Sequence, residues 1–240
     1  MKAAAVVFAL LAATPLGARA AENGRALYLT YCSSCHGNNG RGTNVAPSLV
    51  ALSASYVHFM LDSGRMPAPA PDVNEIPRVP RFTYAQIDTL TKYVLSLSPR
   101  PGDASLPIVA NGNPSRGRAL YAENCQQCHG AVGDGASVGS NDVAPDLATA
   151  TVFQIGEAIR AGPGIMPRFD RRTLSDADVS DIAFFIRDAE THANEPDSTN
   201  AGGFPLAHLG PAPEGFIAWL FGMGALVLFI RGIGTAGKDS

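Results

Sequence analysis

The sequence predicts an all-α protein: two tandem small helical domains followed by one C-terminal membrane-spanning helix. Three observations lead there. The pentapeptide Cys32-Ser33-Ser34-Cys35-His36 returns as Cys125-Gln126-Gln127-Cys128-His129, and Gly-Arg-Ala-Leu-Tyr precedes each copy at 24–28 and 117–121, which marks an internal repeat. Each copy closes in a stretch with apolar residues at helical spacing, and no convincing alternating strand pattern appears anywhere. Near the C-terminus, Phe216 to Ile230 runs without a charge.

In chain order, residues 1–20 read as an export signal: Lys2 supplies the charge, Ala3 to Ala13 the apolar run, and Ala18-Arg19-Ala20 a small-x-small cleavage site. A retained anchor is the other reading of this stretch, although the run is too short to span a bilayer alone. The first domain covers 21–100, with a helix from Asn23 into the first pentapeptide. Its closing helix opens on a capping box, Thr83-x-x-Gln86, and aligns Ile87, Leu90, Val94 and Leu97. A proline-stiffened linker occupies 101–113. The second domain, 114–190, carries a longer glycine-rich loop and closes from Ser175-x-x-Asp178 through Val179, Ile182 and Ile186. A polar connector (191–213), an anchor (214–234) and a short tail (235–240) follow.

The uncharged run alone reaches about 22 Å, short of a ~30 Å hydrocarbon core, and continuing through Gly234 gives about 29 Å if Arg231 snorkels to the interface. Trp219 sits where an interfacial aromatic belongs, and Arg231 and Lys238 follow the uncharged run. The positive-inside rule therefore predicts a single pass through the cell membrane, with both domains outside and the C-terminus cytoplasmic. A buried soluble helix is the alternative for a segment of this length.

The 240 residues are 46% hydrophobic and 16% charged, with a net charge of −3. An acidic chain lacks the basic footprint that nucleic acid requires. No Walker or Rossmann pattern appears; the glycines after each pentapeptide follow a Cys-His turn, not a strand.

Cys-x-x-Cys-His is the attachment signature of c-type haem. Two intervening residues put both sulfurs on one face of a helical turn, so that they add across the two vinyl groups while the adjacent imidazole reaches the iron. Two copies use all four cysteines and predict two covalently bound haem c groups, through Cys32, Cys35, Cys125 and Cys128, with His36 and His129 on the iron. A zinc site or a redox dithiol would use the same thiols but leave two adjacent histidines unexplained. About 80 residues make a marginal core, so each porphyrin is expected to complete its domain.

The opposite ligands are assigned by position. Arg65-Met66-Pro67 and Ile165-Met166-Pro167 fall at matching places between pentapeptide and closing helix, which points to Met66 and Met166. Met60 is the rival in the first domain. His58 would give a bis-His site, but the second domain has no counterpart, and a core or surface histidine is the plainer reading. Met223 faces lipid or packs within the anchor, and His192 and His208 lie in the connector. Pro47 and Pro145 read either as residues whose carbonyls meet the proximal imidazole N–H or as ordinary loop prolines. Tyr93, Phe184 and Phe185 read as core.

Each domain resembles class I cytochrome c in its order of helix, Cys-x-x-Cys-His, proline loop, Met-Pro and closing helix. The whole chain resembles the dihaem cytochrome cc subunit of certain Gram-positive bacterial quinol:cytochrome c reductases. The juxtamembrane stretch Gly202-Gly203-Phe204-x-Leu206-x-x-Leu209-Gly210-Pro211-x-x-Glu214-Gly215 carries that likeness; Arg231 within the anchor departs from it. The resemblance implies a membrane-bound electron carrier that does no bond-making chemistry and is part of an enzyme only as a subunit. Its implied partners are the Rieske iron–sulfur protein, the cytochrome b subunit and a haem-copper oxidase in one supercomplex. The alternatives are a free-standing anchored carrier and a dihaem oxidoreductase, such as a peroxidase or a dehydrogenase for a small sulfur compound. An enzyme of that kind needs an open iron position, which His/Met ligation at both haems denies it.

Overall fold

A computed structural model describes residues 16–70, 77–139, 142–193 and 211–236. The elements in order are α1 (Leu16–Tyr31), α2 (Ser33–His36), α3 (Ala54–Asp62), α4 (Tyr84–Ser96), α5 (Pro114–Asn124), α6 (Gln126–His129), β1 (Ala136–Gly139), β2 (Asp142–Ala144), α7 (Val152–Ala161), α8 (Asp176–Ala193) and α9 (Pro211–Ala236). The chain divides into two compact units, residues 1–107 with 157–169, and residues 108–156 with 170–240.

In the first unit α1 packs across α4. Tyr28 is fully buried, and Ile87, Leu90 and Val94 of α4 close over it with Val57 and Leu61 of α3 and Phe82. The α4 capping box is present as the sequence predicts, with Thr83 and Gln86 satisfying each other's backbone N–H groups. The helix begins at Leu16 rather than Asn23, because the alanine-rich stretch before Asn23 contains no residue that stops a helix. Of the expected signal, residues 1–15 lie outside the described residues.

The second unit repeats the crossing with α5 on α8. Asn113 caps α5 by accepting from Ser115 and Arg116 N–H, with Pro114 in the first turn. Ser175 and Asp178 form the reciprocal cap of α8 (2.8 and 3.2 Å). Val179, Ile182 and Ile186 of α8 are buried, as is Tyr121 of α5.

The two crossings share a device. A Cβ on Gly24 would stand 2.8 Å from Thr89 O and from Tyr93 Cβ, and one on Gly117 would stand 2.0 Å from Asp181 O. Glycine lets each pair of helices approach until backbone touches backbone. The tyrosine four residues on then tilts against the aromatic of the closing helix, Tyr28 on Tyr93 at 5.4 Å and Tyr121 on Phe185 at 5.2 Å.

Three features differ from the sequence expectation. Helices α3 and α7 lie between the proline loop and the methionine turn, capped by Ser53 and by a Thr151–Gln154 exchange. A short antiparallel ribbon, β1–β2, pairs Ala136 with Ala144 and Ser137 with Val143 inside the longer loop of the second repeat, where no strand was expected. Runs of four and three residues are too brief to display a two-residue period. The linker, finally, is bonded at both ends: Asp103 O accepts from Ala54 N at 2.7 Å and Leu52 O from Gly102 N at 3.1 Å, while Ala110 N donates to Ser180 Oγ at 3.1 Å and Asn113 N to Asp181 Oδ1 at 2.7 Å.

Helix α9 is 26 residues long, about 39 Å at 1.5 Å per residue. Among the described residues, its segment Gly215–Ile233 is the one long and apolar enough to cross a membrane. None of it is buried against protein, and Phe221 and Leu228 are each 72% exposed. That argues against the buried soluble helix. The connector between 194 and 210 lies outside the described residues.

Gly117→Ala should destabilise the protein by about 2–3 kcal/mol, the cost of overpacking a site that cannot relax, read as a lowered denaturation midpoint. Gly222→Ala in α9, where nothing lies within 4 Å of an added Cβ, should leave that midpoint unchanged.

Candidate haem-binding sites

The two pentapeptides fold alike because each starts a new turn where a longer helix ends. The backbone of Cys32 turns away from α1 (φ −121°, ψ −34°), and that of Cys125 from α5 (φ −125°, ψ −34°). Each first cysteine still donates its N–H to the buried tyrosine's carbonyl, Cys32 to Tyr28 O and Cys125 to Tyr121 O, both at 2.8 Å. The second cysteine and the histidine then bond back to the first cysteine's carbonyl, at 3.2 and 2.9 Å in the first unit and 3.1 and 2.9 Å in the second. Both thiols and the imidazole therefore leave one helical turn tied to the helix crossing. All four thiols are free, the first of each pair half-buried and the second exposed.

Burial, with the neighbouring cysteine adding to it, pushes the Cys32 and Cys125 thiols up to about 11. An attacking thiol requires the opposite shift, so Cys32 and Cys125 are poor nucleophiles.

Both imidazoles are buried and meet a proline carbonyl: His36 Nδ1 lies 2.8 Å from Pro47 O, and His129 Nδ1 lies 3.1 Å from Pro145 O. A carbonyl can only accept, so Nδ1 carries the proton and Nε2 keeps its lone pair, the form in which imidazole binds a metal. Burial also pushes His129 below its ordinary value, against the Pro145 carbonyl, which acts the other way. The residues present thus fit a covalently held haem: two unpaired thiols and one correctly protonated imidazole on a single turn.

The loops delivering these carbonyls are bonded in the same pattern. His36 O accepts from Gly42 N at 2.9 Å and Gly40 O from Leu49 N at 2.7 Å; His129 O accepts from Gly135 N at 3.0 Å and Gly133 O from Leu147 N at 2.8 Å. Gly42 (φ +83°) and Gly135 (φ +77°) have backbone within 3 Å of any Cβ, at Ser48 N and Ala144 O respectively. Tyr28 Oη donates to Gly37 O at 2.7 Å and Tyr121 Oη to Gly130 O at 2.9 Å. Burial raises the Tyr28 hydroxyl to about 12 and Tyr121 further, so both remain donors. Sequence reasoning did not give these tyrosines a role, although their place in the repeated Gly-Arg-Ala-Leu-Tyr was the signal.

The methionines are placed less alike. Met66 is half-buried against the first unit's core, and its N–H donates to Met60 O at 2.8 Å. An open cleft of about 390 Å³ beside it is lined by Gly64, Met66, Pro67, Arg78 and Arg81 among others. Met166 is half-buried, its N–H donating to Pro163 O at 3.1 Å. It lies in the 157–169 segment that groups with the first unit, whereas His129 belongs to the second. Met60 is half-buried on α3. His58 is 2% exposed and faces carboxylates, with Nδ1 2.6 Å from Glu157 Oε1 and Nε2 3.5 Å from Asp88 Oδ1.

Tyr121→Phe should lower stability by about 1–2 kcal/mol, since Gly130 O loses its donor. Denaturant unfolding of the purified protein checks this, and Tyr28→Phe should do the same to the first unit.

The family described as cytochrome C oxidase, cbb3-type, subunit III matches twice, over residues 19–94 and 112–186. The second match takes in both His129 and Met166. The cytochrome bc1 complex cytochrome c subunit of Mycobacterium tuberculosis is 35% identical, over 95% of this chain and 84% of its own length. That of Corynebacterium efficiens is 31% identical, over 88% and 75%. The cbb3-type cytochrome c oxidase subunit CcoP of Azospirillum is 29% identical, over 70% and 61%. With two cytochrome c domains in tandem and relatives of this likeness along nearly its whole length, the chain belongs to the family of the cytochrome bc1 complex cytochrome c subunit.

Proposed function

We propose that the chain carries two covalently bound haem c groups and passes electrons from a Rieske iron–sulfur protein and cytochrome b, which oxidise quinol, to a haem-copper oxidase in the same assembly. The observation that carries the reading is the imidazole-to-proline carbonyl bond, present in both units on a turn with two free thiols. Cys32 and Cys35 hold one haem and Cys125 and Cys128 the other. His36 and Met66 would hold one iron, and His129 and Met166 the other. When bound, each haem supplies a one-electron iron couple.

The chain's own residues set the conditions for that couple. The Pro47 and Pro145 carbonyls fix ring tautomer and orientation and make each imidazole a stronger donor. A thioether opposite raises the potential and closes the iron to added ligands. The α2 and α6 turns, rooted in the helix crossings, keep the donor atoms in place between the two oxidation states, so little rearrangement accompanies electron transfer. Helix α9 anchors the chain, and Arg231 in its last turns with Lys238 beyond it put the C-terminus in the cytoplasm and both haem domains outside.

Support for the quinol-oxidising partner comes from relatives named as subunits of a cytochrome bc1 complex. Support for the oxidase partner comes from the likeness to CcoP. That same likeness favours a second reading, a subunit held by the oxidase alone. Solubilisation in mild detergent distinguishes the readings. Co-purifying cytochrome b and Rieske subunits are expected; an oxidase without them supports the second reading, and a chain recovered alone supports a free-standing carrier.

Met66→Leu and Met166→Leu should each remove about half of the weak methionine–iron charge-transfer absorbance while leaving the haem content unchanged. A band that survives Met66→Leu in full returns the assignment to Met60. The reduced wild-type protein should not take up carbon monoxide; a fast stoichiometric adduct would support the oxidoreductase alternative.

A further inference from the structure

Away from the haem turns, the first unit buries a group of titratable side chains that electron carriage does not use. His58 and Asp62 lie one turn apart on α3, at the i, i+4 spacing that lets two side chains reach one ion. Glu157 comes to them from a distant part of the chain. His58 and Asp62 are 2% exposed and Glu157 is fully buried. One ligand atom from each of the three lies within 4.8 Å of the other two. Glu157 Oε1 meets His58 Nδ1 at 2.6 Å, while Glu157 Oε2 is buried without a hydrogen-bond partner. A fully buried carboxylate oxygen left in that state is costly unless a cation or a proton compensates it.

From this juxtaposition we infer that His58, Asp62 and Glu157 form a binding site for one divalent transition-metal cation of the zinc type. Three further observations select that class. The donor set is one imidazole nitrogen and two carboxylates, which suits zinc and its neighbours; calcium takes six to eight oxygens, and magnesium keeps most of its water. Asp88 Oδ1 stands 3.5 Å from Nε2 of His58, the far side of the ring from Glu157, as in the carboxylate–histidine–metal arrangements that orient a ligating ring. The charge is also right: three carboxyl groups face a single imidazole, and a dication would neutralise what the imidazole cannot. With three protein ligands, the fourth position is left for water. The ion would join α3 to residue 157 and so stabilise the first unit without touching the iron.

The experiment is zinc titration of the haem-loaded, detergent-solubilised full chain in a His192→Gln/His208→Gln background, which removes the connector histidines. One zinc per chain should bind with micromolar or tighter affinity, and the affinity should fall at least tenfold in Glu157→Gln. Asp62→Asn gives the same test should Glu157→Gln fail to accumulate with haem. X-ray absorption of the zinc-loaded parent chain needs no further variant; it should show one nitrogen and two or three oxygens at about 2.0–2.2 Å. No stoichiometric binding, equal affinity in Glu157→Gln, or a zinc shell containing sulfur or more than one imidazole overturns the site.

Discussion

The constraint on which the rest of the structure depends is that an imidazole must stand on a fixed turn with its outer nitrogen unprotonated. In both units a proline carbonyl enforces this by accepting from the inner nitrogen, at 2.8 Å for His36 and 3.1 Å for His129. A carbonyl on a loose loop could not hold that distance. The loop is therefore tied to the histidine's own backbone through Gly42 and Gly135, and to the buried tyrosines through Gly37 and Gly130. The tyrosines are held in turn by crossings that Gly24 and Gly117 let close to backbone contact. Each repeat thus transmits the rigidity of a helix pair to one ring nitrogen.

Divergence between the two halves occurs where this chain of contacts does not pass. The second half inserts a glycine-rich ribbon, β1–β2, between the turn and the proline, and the carbonyl still arrives at His129. The methionine segments are also held differently, Met66 by Met60 O and Met166 by Pro163 O. On the proposed ligand assignment, these positions need only offer a thioether, which more than one local scaffold can do. The proline loop, which must deliver a carbonyl to one atom, retains the same bonds in both halves.

Much of this was legible in the sequence because it is local or repeated. The Cys-x-x-Cys-His turns, the Thr83–Gln86 and Ser175–Asp178 caps, and the stripes from Ile87 to Val94 and from Val179 to Ile186 all lie within a few residues of their partners. The repeat supplied the two tandem domains, though not the grouping of 157–169 with the first unit, and an uncharged run supplied α9. Helices α3 and α7 were missed because nine or ten residues give a weak period, and the ribbon because its strands are shorter than the pattern that defines them. The partners of His58 were out of reach for another reason. Residues 58, 88 and 157 come together only in the folded chain, and nothing in the spacing of Glu157 sets it apart from a solvated acid on an amphipathic helix.

The proposed function requires covalently attached haem on both turns, with all four thiols consumed. Intact mass spectrometry of the purified mature chain tests it most directly, in parallel with thiol alkylation under denaturing conditions. The account predicts a polypeptide heavier by two haems, with no cysteine open to alkylation. A bare chain, one carrying a single haem, or one holding zinc on reactive thiols would contradict it.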